Sequence, residues 1–374
     1  MKIIFLFLIA FLFFSVIAGA QEKATPPAAL QWRNIRDFGV EGKGWSETKH
    51  FYDRLPAKAE TVVRAPVWRL SQNSAGISVR FVTDADSIWA RWTLRSPTLA
   101  MSHMPATGVS GLDLYVKDAG KWHWLGVGKP EKSSVNEQKL IANLKPEKRE
   151  YLLYLPLYNG VESVEVGVPE KAFIEKAPAA SPENTRPIVF YGTSIVQGAV
   201  ASRPGMTYPS ILSRRLNKPA INLGFSGNGR AETEMANLVA EIDAAVYVVD
   251  CLPNLSNRQE VEERVPGFLR ILREKHPLTP IVLVENIVYA DTPFEEIRNQ
   301  RYREKNEALR RIYQNLIKSG FKRLYYVAGD KMLGFDADAT VDGTHPTDLG
   351  FFRIADVLEP FIKNALKSRK ETNK

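Results

Sequence analysis

The sequence predicts two folded units of different kind: an antiparallel β-sandwich, jelly-roll-like, over residues 21–174, and an α/β domain with a parallel sheet over residues 188–374. Three observations predict this. The first half alternates apolar and polar residues with period two and breaks at Gly- and Asp-containing turns. The second half alternates short, continuously apolar runs with amphipathic stretches of helical period. Between them, Glu175–Pro187 (EKAPAASPENTRP) is rich in Pro and Ala and has no period, which marks a linker. A length of 374 residues suits two domains.

In the first half, Ile77, Val79 and Phe81 share one side of a strand, and Ile88, Ala90, Trp92 and Leu94 share one side of the next. Gly111–Gly128 reads as a hairpin turning at Asp118-Ala119-Gly120. Arg149–Val168 reads as a second hairpin turning at Asn159-Gly160. No helix is expected there. In the second half, strands are expected at Pro187–Tyr191, Ala220–Gly224, Ala244–Val249, Ile281–Val284 and Leu324–Val327. Helices are expected at Tyr208–Leu216, Ala231–Ile242, Val261–His276, Ile297–Lys318 and Leu349–Lys367, lying on both faces of the sheet.

Residues 1–20 (MKIIFLFLIAFLFFSVIAGA) have the form of a signal peptide: Lys2, an apolar run, and Ala18-Gly19-Ala20 as the cleavage site. No later segment has 18 apolar residues in a row, and no cysteine follows the cleavage point to carry a lipid. The expectation is an exported protein, periplasmic or secreted, with no membrane span. The single cysteine, Cys251, excludes an internal disulfide and fits a periplasm better than a disulfide-stapled scaffold. Loss of Lys2 lowers the formal net charge from +8 to +7. The basic residues are scattered and form no nucleic-acid motif.

Ligands of open parallel sheets bind beyond the carboxyl ends of the strands. Ser194 follows the first strand, the Gly-rich turn Gly224–Gly229 follows the second, Asn254 follows the third, and Asp342 and His345 precede the last helix. Acyl transfer needs this set. A serine hydroxyl needs an imidazole to take its proton, and the imidazole needs a carboxylate on its other nitrogen. The oxyanion that forms needs aimed N–H donors, for which Ser194, Gly227 and Asn254 are the candidates. Pro346 disfavours helical geometry at His345, so the helix starts after it. Taken singly, each residue has a plainer reading: a turn serine, a helix-capping Asn, a surface His.

Together, GTS (Gly192–Ser194), NLGFSGNG (Asn222–Gly229), CLPN (Cys251–Asn254) and DGTHP (Asp342–Pro346) resemble the SGNH, or GDSL-like, hydrolase superfamily. GLDLYV (Gly111–Val116) resembles the Gly-x-Asp-Leu-Tyr signature of a two-domain subgroup. The resemblance covers nearly the whole chain after the leader. It implies a flavodoxin-like three-layer α/β/α domain with a five-stranded sheet, working without cofactor or metal. It also implies Ser194 as nucleophile, His345 as base, Asp342 as orienting acid, and Ser194, Gly227 and Asn254 as the oxyanion hole. Thr193 departs from the pattern, standing where the family usually has Asp.

Members of this kind are often carbohydrate O-acetylesterases, so an acetylated glycan is the expected substrate. Alternatives are a lysophospholipase or thioesterase, and a non-catalytic glycan-binding protein with a degenerate hydrolase domain. Gln197, Arg203 and Glu285 are candidates for substrate contact, each with a structural role as the competing reading. Trp89, Trp92, Trp122 and Trp124 are read as packing residues before sugar-stacking ones. Cys251 is read as a small buried hydrophobe. His50, His103 and His123 have no ligand spacing, so no metal is expected.

Overall fold

The computed structural model describes residues 29–179, 181 and 184–370. The expected signal peptide, residues 1–20, lies outside them. Among the described residues no helix is long and apolar enough to cross a membrane.

The first domain contains β1 (Leu30–Asn34), β2 (Val40–Glu41), helix α1 (Ala65–Ser71), β3 (Ser78–Thr83), β4 (Ile88–Leu94) and the short α2 (Ala106–Val109). β5 (Leu112–Asp118), β6 (Lys121–Gly128), β7 (Val135–Ile141), β8 (Arg149–Tyr154), β9 (Val161–Pro169) and β10 (Ile174–Lys176) follow. One sheet runs β1-β9-β4-β7 and the other β10-β3-β8-β5-β6, with β2 on β3, all antiparallel. The apolar faces meet as expected: Ile77, Val79, Phe81, Ile88, Ala90 and Trp92 are fully buried in one core with Leu112, Leu114, Leu153 and Val164.

Three local expectations are corrected. β8 and β9 are not a hairpin; they belong to opposite sheets, and Asn159-Gly160 is the crossover between them. Asn159 is buried, accepting from the Ser96 amide and donating to the Ser96 carbonyl and the Ser110 hydroxyl. A Cβ on Gly160 would sit 2.4 Å from the Gln72 carbonyl oxygen, so this glycine serves close packing rather than a tight turn. A helix, α1, does intervene in this half. It is too short to show a period, and it buries Val67 and Trp68 against the second domain. β10 pairs Glu175 and Lys176, the first two residues of the expected linker, with Val82 and Phe81.

The second domain is β11 (Ile188–Gly192), α3 (Ser194–Gln197), α4 (Tyr208–Leu216), β12 (Ala220–Gly224), α5 (Thr233–Val239) and β13 (Val246–Asp250). It continues with α6 (Arg258–Lys275), β14 (Ile281–Val284), α7 (Glu296–Lys318), β15 (Leu324–Val327) and α8 (Asp348–Lys370). The five strands are parallel in the order β12-β11-β13-β14-β15, the flavodoxin-like order. Val189 and Tyr191 face α5, α6 and α7; Ile188 and Phe190 face α4 and α8.

The sandwich is joined to this domain by shared core and by buried charge. Leu55, Val63, Val67 and Trp68 enter one side-core of the parallel sheet, and Met104, Val109 and Leu157 enter the other. Arg54, 2% exposed, donates to the carbonyls of Leu70, Asn73, Asn222 and Gly224, which ties the first domain to β12. The Gly-x-Asp-Leu-Tyr stretch makes a second clasp. Alternation sends Leu112 and Leu114 into the sandwich core and turns Asp113 and Tyr115 the other way. Buried Asp113 accepts from Arg203 Nη1 and the Gly205 amide, both at 2.8 Å, and Arg203 also donates to the Tyr115 hydroxyl.

Removing the Arg54 guanidinium strands buried carbonyls on both domains. Arg54→Leu is expected to cost about 3 kcal/mol or more in urea unfolding. A loss within the error of the measurement would show that this residue does not brace the two domains.

Candidate active site

Ser194 is the first residue of α3, immediately past β11, and is 8% exposed. Thr193 caps that turn: its Oγ1 accepts from the Ile195 amide at 3.2 Å, so the hydroxyl does the supporting work at the departed position. Ser194 Oγ lies 2.9 Å from His345 Nε2, and His345 Nδ1 lies 2.7 Å from Asp342 Oδ2. The loop that carries the last two is closed on itself. The Val341 amide donates to the His345 carbonyl at 3.0 Å, and the Thr347 amide to the Ala339 carbonyl at 2.9 Å. Buried Pro346 separates His345 from α8, as its restriction on the preceding residue requires.

Asp342 Oδ1 accepts the amides of Thr344 at 3.0 Å and His345 at 2.7 Å. Partial burial pushes this carboxyl up, but the His345 amide and ring and the Thr344 amide outweigh it and hold it down at about 2. It is therefore ionised across the neutral range and can stabilise a positive imidazole.

Two further loops complete the site. Residues 225–229 form a turn in which the amides of Asn228 and Gly229 both donate to the Phe225 carbonyl. Gly227, at φ +68°, has an amide without a partner among the described residues. Asn254 follows β13, and its Nδ2 donates to the same Phe225 carbonyl at 3.2 Å. A cavity of about 350 Å³ is lined by both Gly227 and Asn254.

The structure gives each of the three residues expected to contact substrate partners within the protein. Gln197 is fully buried, donates to the Leu157 carbonyl at 3.1 Å and accepts from the Ser226 amide at 3.0 Å, so it supports the Gly227 turn. Arg203 clasps Asp113 and Tyr115. Glu285 is 3% exposed and is held by Arg310, the Tyr326 hydroxyl and the Gly329 amide. Cys251 is fully buried, and burial pushes its thiol well up. Of the tryptophans, Trp92 is core, whereas Trp124 is 50% exposed with its indole N–H on Asp113.

Other residues at the site gave no signal in the sequence. His103, from the sandwich, sits on a turn closed by mutual Met101 and Met104 backbone bonds, with its ring centre 5.8 Å from that of His345. The fold thereby gathers His103, Asp342 and His345, with ligand atoms within 4.8 Å of one another, where the sequence spacing suggested no such group. Both nitrogens of His345 are already engaged, so a cation held there would displace one of those bonds. Arg298 bonds Asp291 and Thr344 and so steadies the His345 loop. Lys305 donates to the carbonyls of Leu252 and Leu255, both at 3.1 Å, on either side of Asn254. Burial lowers its ammonium to about 8.

Models of two families match the chain: the GDSL-like lipase/acylhydrolase family over residues 185–363, and the N-terminus of SGNH-hydrolase-type esterases over residues 30–174. A solved GDSL-like lipase from Bacteroides ovatus is 37% identical, with a TM-score of 0.85 over 91% of this chain and 98% of that one. The chain belongs to the GDSL-like lipase/acylhydrolase family. More distant likenesses show that this hydrolase shares its fold more widely. The salicylyl-acyltransferase SsfX3 of a tetracycline biosynthetic pathway is 18% identical, with a TM-score of 0.71 over 90% of this chain and 97% of that one. A family two carbohydrate esterase from Cellvibrio japonicus is 13% identical, with a TM-score of 0.58 over 91% and 99%. No curated protein matches the hydrolase in sequence.

One buried carboxyl behind the site carries a pH signature. Among the described residues, Asp250, at the end of β13, has only the Tyr208 hydroxyl, at 2.8 Å, as side-chain partner, and burial raises it from 3.8 to about 7. The folded state keeps a proton that the unfolded chain releases near pH 4. The stability that proton supplies is therefore complete below about pH 4 and is lost as pH rises to about 7. Wild type is expected to lose stability relative to Asp250→Asn across that window, with a constant difference above it. Parallel stability–pH curves would contradict this.

Proposed function

We propose that this hydrolase is an exported serine esterase that removes O-acetyl groups from a carbohydrate through an acyl-enzyme. The observation that carries the reading is the unbroken hydrogen-bond chain from Asp342 through His345 to the Ser194 hydroxyl. In this reading Ser194 Oγ attacks the acetyl carbonyl carbon while His345 Nε2 takes the hydroxyl proton. Asp342 stays ionised and fixes the proton on Nδ1. The tetrahedral oxyanion is met by the amides of Ser194 and Gly227 and by Asn254 Nδ2. His345 then gives its proton to the departing sugar oxygen, and the C–O bond to the sugar breaks. Water, deprotonated by the same nitrogen, attacks the acetyl-enzyme; acetate leaves and Ser194 recovers its proton.

Three features support the finer terms. Residues 1–20 have the form of an export leader. The cavity beside Gly227 and Asn254 is lined by Arg230, Arg298, Arg301 and Lys305, a poor bed for a long acyl chain and a good one for a polar substrate. Family two carbohydrate esterases share the two-domain fold.

Hydrolysis of p-nitrophenyl acetate tests the esterase reading. Ser194→Ala and His345→Ala are each expected to lower kcat by at least about a thousandfold, and the two together by no more than either alone. Asn254→Ala is expected to cost about a hundredfold, through one lost oxyanion donor. Wild-type rates in Ser194→Ala would remove the serine mechanism. A preference for long acyl esters over acetyl would remove the acetylesterase term.

A further inference from the structure

The cavity that touches the Gly227 and Asn254 donors has an unusual charge balance. Four cations line it, Arg230, Arg298, Arg301 and Lys305, and no carboxylate does. Arg298 is compensated from outside by Asp291. The other three make no ion pair among the described residues. Arg301 makes no side-chain hydrogen bond or ion pair among the described residues, and it is exposed. Among the described residues, Arg230 Nε donates only to the Gly227 carbonyl, at 3.1 Å. Among the described residues, Lys305 donates only to the carbonyls of Leu252 and Leu255. The charge of Glu260 reaches both Arg230 and Lys305, but its carboxylate is bonded by Arg264 at 2.8 Å and by the Ser256 amide at 2.6 Å.

Like charges crowded without counter-charge repel one another, and a site keeps them at a cost in stability unless an anion arrives. Guanidinium groups suit a carboxylate or sulfate, which they can hold by paired N–H donors. Of the two tyrosines of this wall, half-buried Tyr302 adds a hydroxyl and a ring face that suit a sugar, whereas Tyr289 is buried, with its hydroxyl on Asn286 and its ring under Arg298. The formal net charge, +8 for the whole chain and +7 without Lys2, has the same sign and would steer an acidic polymer toward it.

We propose that the natural substrate is an anionic glycan: the sugar at or next to the acetylated one carries a carboxylate or sulfate, held in this cavity with Arg301 and Arg230 as its receptors. This deepens the esterase reading of the same site and rests on it. A neutral polysaccharide would leave the cations unpaired and gain nothing from them.

The test compares acetate release from three chemically acetylated substrates, after p-nitrophenyl acetate has established that the preparation is an active esterase. They are oligogalacturonate, a sulfated agaro-oligosaccharide and neutral xylo-oligosaccharide. At least one charged substrate is expected to exceed the neutral one in kcat/KM by about tenfold or more, and the better of the two identifies carboxylate or sulfate as the anion. That advantage is expected to shrink as salt is raised. In Arg301→Gln, the ratio of charged to neutral kcat/KM is expected to fall about tenfold, chiefly through KM. Arg301→Lys should recover part of it. Because Arg301 is exposed, a folding defect is not expected to obscure the result. Equal or faster turnover of the neutral substrate, or an unchanged ratio in Arg301→Gln, would overturn the proposal while leaving the esterase reading intact. Failure on p-nitrophenyl acetate would instead strike the esterase reading.

Discussion

The 2.9 Å contact between Ser194 and His345 is the bond around which the loops of the candidate site are arranged. Its two residues lie 151 positions apart, one at the start of the parallel sheet and one after its last strand. Neither loop is held in place by its own sequence alone. Ser194 is aimed by the Thr193 cap and by the end of β11. His345 is aimed by Asp342 and by the Pro346 break. The two loops are then fixed to each other, because Asp348 in the first turn of α8 accepts both the amide and the hydroxyl of Ser202, just beyond α3. A hydroxyl–imidazole distance in bonding range follows from that tie. Apposition of this kind converts a poor nucleophile into a useful one.

The sandwich is part of the same construction. It supplies His103 beside His345, and Tyr158, whose hydroxyl lies 3.5 Å from the Ser194 carbonyl oxygen. Its Gly-x-Asp-Leu-Tyr strand has a specific physical job. The apolar members fill the sandwich core, while Asp113 and Tyr115 grip Arg203 on the loop that leads from α3 to α4. Burial raises the Asp113 carboxyl, and the charge of Arg203 opposes that rise. A buried ion pair of this kind costs much to desolvate and does most for specificity of geometry. Here it sets how the sandwich meets the loop that follows Ser194.

Most of the second domain was legible because each parallel strand, buried on both faces, is a short continuous apolar run. Strands at Ala220–Gly224, Ile281–Val284 and Leu324–Val327, and helix Tyr208–Leu216, have the bounds that the pattern predicts. The placement of Ser194, Asn254 and His345 at strand ends follows from the topology alone. What the sequence could not express were contacts made through space. Asn159-Gly160 has the letters of a hairpin turn, yet burial of the Asn159 amide makes it a crossover between sheets. Gln197, Arg203 and Glu285 have the chemistry of substrate ligands, yet each finds a partner from a distant segment. His103 lies more than two hundred positions before His345, and nothing local to it marks a site. The cation-lined cavity draws on three loops and a helix, and no window of sequence contains it.

In the proposed mechanism Ser194 is a nucleophile activated by His345. Intact-mass and peptide analysis of the protein after exposure to a fluorophosphonate measures this without any choice of substrate. One covalent adduct per chain is expected, on Ser194, formed rapidly in wild type and only very slowly in His345→Ala. No adduct, or an adduct at another residue with Ser194 unmodified, would contradict it.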